Sequence, residues 1–437
     1  MTFRCIVMGA AGRDFHDFQT FFRSHPDFRV VCFTAEQIPF IDQRKFPRSL
    51  AGPGYAEDIP IYNEGRLVEL IREHQVEFVF LSYSDLPHAQ VMHKASIVQA
   101  AGASFVLLGP DHTMLQSSKP VIAVTAVRTG AGKSPISQLL AAHLGASGRP
   151  AGVLRHPMPY GDLERQRVQR FATAADLDSH ECTVEEREEY APYVERGLVI
   201  FAGVDYASIL AAAEAESDVI LWDGGNNDTP FVRPTLWIAV LDALRPGHEV
   251  GYYPGETNYR AADVLVVNKV DQADPAELDR MLSRIAADRP DAALITADLG
   301  VVADEAALKG KRVLVIEDGP TTTHGGMAFG AGYVLARRAG AAELVDPRPF
   351  AVGSIARTLE KYPHITEILP AMGYSDEQRA DLAETVRRAA PDVVVDASPA
   401  RVGRLLGVTL PVVEVDYHFV QRSGPDLLGL VDAALAR

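Results

Sequence analysis

The sequence predicts an α/β protein built on parallel sheets, and three observations carry that prediction. Short apolar runs of strand length alternate with amphipathic helical stretches along the 437 residues. Hydrophobic residues make up 47 % of the chain, enough to bury large cores on both faces of such sheets. A glycine-containing loop ending in Lys-Ser joins one apolar run directly to a helix. At roughly 150 residues per domain the length allows two or three domains.

The elements follow in order. Cys5-Ile6-Val7-Met8 reads as a strand ending in Gly9-Ala10-Ala11-Gly12, and a helix with Phe15, Phe18, Phe21 and Phe22 on one face comes next. With strands at Val30–Phe33, Val76–Leu81 and Phe105–Leu108, residues 1–117 form a Rossmann-like domain. The glycine pattern lacks the third glycine of a dinucleotide fingerprint, but Asp14 and His16 stand where a ligand cleft would open. Gln116–Pro120 is the expected linker. A second α/β domain is expected over 118–345, with strands at 121–125, 219–222, 236–240, 264–267 and 313–316. A C-terminal α/β region, 346–437, holds strands at 393–395 and 412–415.

Composition narrows the function. A net charge of −16 argues against a nucleic-acid partner, although a local basic pocket in an acidic protein can still focus a small polyanionic substrate. Three cysteines with no CxxC spacing give neither a disulfide framework nor a zinc site. The N-terminus enters a strand at once, and no apolar run has the length of a membrane span. The expectation is a cytoplasmic protein without a membrane partner.

The chemistry concentrates at Arg128-Thr129-Gly130-Ala131-Gly132-Lys133-Ser134, between the strand ending at Thr125 and a helix carrying Ile136, Leu139, Leu140 and Leu144. Strand, glycine loop, Lys-Ser and helix make a P-loop. Backbone N–H groups at the helix N-terminus bind phosphate oxygens, Lys133 neutralises the β- and γ-phosphates, and the Ser134 hydroxyl ligates Mg2+. The usual first glycine is replaced by Val127. The loop thereby resembles the variant loops of the MinD and dethiobiotin-synthetase class, with Arg128 in place of that class's extra lysine as a candidate phosphate ligand.

Other strand ends add candidates. Asp223 ends the run 219–222 and stands where a Walker-B carboxylate holds Mg2+; Asp228 follows it. Asn268-Lys269-Val270-Asp271 matches the NKxD base-recognition pattern, whose carboxylate suits guanine. Arg155, His156 and Asp162, with Arg245 and His248, lie after strands, where open α/β sheets bind ligands, and are candidates for holding an anionic substrate. The stretch Thr321–Gly332 reads either as a further phosphate loop or as a glycine turn packed on a helix.

Several unusual strings occur in one order: GAAGRDFHDF at 9–18, AVRTGAGKS at 126–134, RHPMPYGDLE at 155–164, WDGGNND at 222–228, RPGHE at 245–249, YPGETN at 253–258 and NKVD at 268–271. Over residues 1–335 they resemble cyclic 2,3-diphosphoglycerate synthetase and its bacterial relatives, some of them described as predicted GTPases. The resemblance implies a homodimeric ligase that uses ATP and Mg2+ to close 2,3-diphosphoglycerate, or a related small polyanion, into an intramolecular phosphoanhydride. GTP remains open as the nucleotide because of NKVD. A regulatory or metallochaperone-type GTPase is the alternative.

Overall fold

The computed structural model describes residues 2–9, 12–36, 44–156, 161–225, 227–323, 326–371, 376–398, 401–407 and 409–436. Ala10, Ala11, residues 157–160, Asn226, His324 and Gly325, which fall in strings singled out above, lie outside the described residues.

Alternation along a strand sends successive side chains to opposite faces. In the first sheet Cys5, Val7 and Phe33 pack with Phe15, Phe18 and Phe22 on one side. Ile6, Met8 and Cys32 pack with Leu70 and Val79 on the other. Burial on both faces is why these strands read as unbroken apolar runs. The sheet order is Lys45–Phe46, Ile59–Asn63, Phe28–Ala35, Phe3–Met8, Phe78–Leu81, Ser104–Val106. It is parallel except at the short Lys45–Phe46 edge.

The second sheet runs, in its parallel part, Val199–Ala202, Ala151–Arg155, Val219–Asp223, Val121–Ala126, Leu236–Asp242, Val264–Asn268, Ala293–Val302. After Val121–Ala126 the chain first builds to one side and then crosses to the other. That strand therefore lies at a topological switch point, where the carboxyl ends of a parallel sheet open a crevice. The helix Lys133–Ala146 covers it with Ile136, Leu140 and Leu144, spaced to fall on one face.

The third sheet corrects one expectation. The strand Arg312–Glu317, assigned from sequence to the P-loop domain, pairs instead with Val393–Asp396, Val313 opposite Val393. A doubly buried strand announces a parallel sheet but carries no mark of which one. Two compact units result: Met1–Arg170, Leu198–Thr296 and Arg422–Arg437 form one, and Phe171–Gly197 with Ala297–Gln421 forms the other. The first two sheets thus share a unit. They are tied by the bridge Leu115–Val232 and by the short antiparallel pair Leu86–Pro87 and Tyr252–Tyr253.

Candidate active site

Val127 explains the missing glycine. Its N–H donates to the Val240 carbonyl at 3.0 Å and its side chain belongs to the core, so position 127 still continues the strand. The phosphate-binding turn begins one residue later. Gly130 (φ 78°) and Gly132 (φ 97°) then take left-handed conformations that side chains disfavour, and Gly132 caps the helix beginning at Lys133. The site also needs Gly255, which opens the helix Gly255–Ala261: a Cβ there would lie 2.1 Å from the Val127 carbonyl oxygen. Gly255→Ala is expected to lever that helix off the loop, with a loss of about 1–3 kcal/mol as for other overpacked sites. Thermal unfolding checks this; an unchanged Tm would contradict it.

The loop's carbonyls are pinned from behind. Arg245 Nη2 donates to Thr129 O at 2.8 Å, Lys269 Nζ to Gly130 O at 2.6 Å, and Asn268 Nδ2 to Ala131 O at 2.9 Å. Three successive loop carbonyls are thus held from one side, while Ala131 N–H donates back to Arg128 O at 3.3 Å. Arg245 and Lys269 are themselves gathered by Asp242, with Nε at 3.0 Å and Nζ at 2.8 Å from Oδ2. Burial pushes the Asp242 carboxyl up, but Lys269 and Arg245 outweigh it and hold it below its ordinary value. Sequence reading missed Asp242, although its place at the tip of Leu236–Asp242, three residues before Arg245, was a usable signal.

Lys133, Arg155 and Asp223 form one buried cluster. Lys133 Nζ pairs with Asp223 Oδ1, while Arg155 Nη1 pairs with Oδ2 and lies 3.1 Å from the Asp223 carbonyl. Arg155 and Asp223 face each other across adjacent strands, so the register itself creates the pair. Two cations share one fully buried carboxylate. Burial draws the Lys133 pKa down to about 8; Asp223 opposes the shift and Arg155 adds to it. Among the described residues no group of three or more His, Cys, Asp or Glu is arranged to hold a metal. Ser134 stands in the first helical turn, and both Asp223 carboxylate oxygens are paired with Lys133 and Arg155.

Arg128 is committed to other protein groups. Its Nε donates to Asp85 Oδ1 at 2.6 Å, its Nη1 to His248 Nδ1 at 2.7 Å, and its guanidinium lies 3.7 Å over the Tyr252 ring. Burial and the neighbouring Arg128 lower the His248 pKa, in keeping with its role as acceptor. Asp85, from the first sheet's domain, thus clasps the cradle and was not anticipated.

A second polar group gathers around Asp228. His156 Nε2 lies 3.1 Å from Asp228 Oδ2. Arg13 donates to Thr229 Oγ1 at 2.6 Å and approaches Asp17 Oδ2 at 3.7 Å, and Ser82 donates to the same Asp17 oxygen at 2.9 Å. His16 stacks on Phe231 with centroids 3.9 Å apart and bonds Thr113 O at 2.7 Å. Burial lowers His156 below its usual range and His16 to about 3, so both imidazoles are neutral, and it lifts Asp17 to about 6. Asn258 braces the floor, its Nδ2 donating to Ala126 O and Asn227 O at 3.1 and 2.7 Å. The sequence singled out Asp14 and His16, but not Arg13, Asp17 or Asn258.

Two candidates lie in exposed turns. Asp162 is exposed and accepts from the Glu164 and Arg165 N–H groups in a local turn. Asp271 lies on an exposed 3-10 turn, Val270–Gln272. In the other unit, Gly330 and Gly332 pack closely against Glu317. Glu317 accepts from Tyr333 N–H at 2.8 Å, and a Cβ on Gly330 would meet its Oε2 at 2.3 Å. That helix start already holds a carboxyl group.

The described fold is mixed α/β with several sheets, and its strand–loop–helix cradle is of the nucleotide-binding kind. Over 425 residues the chain is 54 % identical to arginine synthetase ArcE of Thermococcus kodakarensis, covering 97 % of this chain and 95 % of that protein, and it belongs to that family. The resemblance therefore holds at the level of a synthetase, while the matched relative is an arginine synthetase rather than the diphosphoglycerate enzyme. No protein-family model matches the sequence. Among solved structures, LpxK from Aquifex aeolicus in complex with ATP is 11 % identical, covering 79 % of this chain and 95 % of that one at a TM-score of 0.40. The UDP-N-acetylmuramate:L-alanyl-gamma-D-glutamyl-meso-diaminopimelate ligase from Neisseria meningitides is 11 % identical, covering 69 % and 81 %, at 0.28. Among the described residues no helix is long and apolar enough to cross a membrane.

Proposed function

We propose that the protein is an ATP- and Mg2+-dependent synthetase that forms arginine from its ureido counterpart, citrulline, and a nitrogen nucleophile. The observation that carries this reading is the 54 % identity to an arginine synthetase over 97 % of the chain, taken with a cradle complete from Arg128 to Ser134. The chemistry follows from the residues. A ureido oxygen is a poor leaving group until it is phosphorylated. The ureido oxygen attacks the γ-phosphorus, the bond to the β-phosphate breaks, and ADP leaves. The nitrogen nucleophile then displaces inorganic phosphate from carbon. Lys133 and the loop N–H groups stabilise charge on the transferring phosphoryl group, and Arg155 orients Asp223. Ser134 and Asp223 would hold Mg2+, which would supply positive charge for the phosphate oxygens.

Charge favours this substrate over a bisphosphate. Arg128, Arg155 and Arg245 are each paired with a buried or half-buried carboxylate, Asp85, Asp223 and Asp242. Such arginines have little charge to spare for bringing two phosphates together. Asn268 and Lys269 brace the loop, which gives the NKVD string a use without guanine. ATP-dependent closure of 2,3-diphosphoglycerate into an intramolecular phosphoanhydride remains the second reading, carried by the strings of the first subsection.

The test is to offer ATP or GTP with either citrulline and ammonium or 2,3-diphosphoglycerate, following products by amino-acid analysis and phosphorus NMR. Arginine, ADP and phosphate in equal amounts, from ATP with citrulline and ammonium, is the expected result. A cyclic diphosphoglycerate product would overturn it in favour of the second reading. GTP turnover without citrulline would overturn it in favour of a GTPase.

A further inference from the structure

The Asp228 group is built of acceptors that lack donors. Asp228 is 2 % exposed, yet neither of its carboxylate oxygens has a hydrogen-bond partner; the same is true of Asp17 Oδ1 and Asn227 Oδ1. A buried carboxylate without donors is costly, and such an exception asks for a ligand or a catalytic task. Its neighbour His156 lies close, but its Nε2 makes no hydrogen bond either. A phosphate or carboxylate ligand would only add further acceptors. The complementary ligand is rich in N–H.

Position agrees with chemistry. Asp228 acts electrostatically on Lys133 of the cradle and on Arg13 and Asp17 of the first domain, so it stands between them. The Asn227 amide beside it donates to Val127 O at 3.1 Å, which fixes the segment against the start of the loop. A nucleophile held at Asp228 would therefore sit next to the phosphorylated carbon rather than at the far end of the nucleotide.

Resting on the function proposed above, we infer that Asp228 receives the nitrogen nucleophile, of the ammonium class, and takes its proton as it attacks. In that step the C–N bond forms from the nitrogen lone pair and the C–O bond to phosphate breaks with its electron pair going to the leaving phosphate. The proton lost from nitrogen passes to the Asp228 carboxylate. His156, neutral and adjacent, is the positioning residue, and Arg13 balances the charge of the group.

Asp228→Asn keeps the shape and removes the base. Arginine formation at saturating ATP and citrulline should fall by about a hundredfold or more in kcat/KM for ammonium, the range typical of a lost general base. The Kd for ATP should stay within about threefold, because the cradle's own contacts remain. Arginine formation within threefold of wild type overturns the assignment, and so does an equal loss of ATP binding. If the variant does not fold, His156→Gln carries the test: a rise in KM for ammonium of about tenfold supports the site, and an unchanged KM overturns it. A wild-type protein that makes no arginine removes the functional reading and this inference with it. An active wild type with an active variant removes the inference alone.

Discussion

Lys133→Ala is expected to lower turnover by at least about a thousandfold while leaving the protein folded, because one side chain supplies the charge that phosphoryl transfer needs. The argument for an intact fold is electrostatic. In the wild type two cations share the Asp223 carboxylate, and removing Lys133 leaves Arg155 and Asp223 matched one to one. Steady-state ADP release and circular dichroism of the same sample check both halves. Surviving turnover would remove the phosphate role from Lys133.

The same lysine sets a pH dependence. Its folded pKa of about 8 lies below the unfolded value, so the folded protein gives up the proton first. Between about pH 8 and pH 10.4 the unfolded chain binds more protons at this site, and its contribution to stability rises with pH. Phosphate binding has the opposite sign, because it needs the ammonium form. ATP affinity should be flat below about pH 7 and weaken up to about tenfold per unit above pH 8. Isothermal titration across that range measures it, and an affinity that strengthens with pH would contradict it.

Asp223→Ala is the reciprocal case and should be worse for the fold. It strands Lys133 and Arg155 in a fully buried setting, which for a broken buried pair costs about 3–5 kcal/mol. Lys133 then relieves the repulsion by losing its proton, so nucleotide binding near neutral pH should fall as well. Chemical denaturation and ATP binding are the two measurements. Wild-type stability would mean that the cluster holds no such strain.

These contrasts show what could be read from the chain alone. The cradle was legible because strand, glycine turn and helix are contiguous, with Lys133 opening the helix and Asp223 ending a strand. The arginines were legible as residue types but not as ion pairs. Arg128 finds Asp85 of the first sheet's domain across 43 positions, and Arg155 finds Asp223 across 68 because their strands are neighbours. Asn268 and Lys269 were singled out from sequence, but their contacts to loop carbonyls follow from the neighbouring strand's register with Leu236–Asp242. The strand at 313–316 was found but set in the wrong sheet, since burial on two faces looks alike in any parallel sheet.

The central claim is that the cradle activates a ureido oxygen by phosphorylation, and labelled oxygen tests it most directly. Citrulline carrying oxygen-18 in its ureido group, incubated with ATP and ammonium, should yield arginine and inorganic phosphate containing one labelled oxygen from that group. Arginine formed with unlabelled phosphate, or ATP cleaved to AMP and pyrophosphate, would contradict the account.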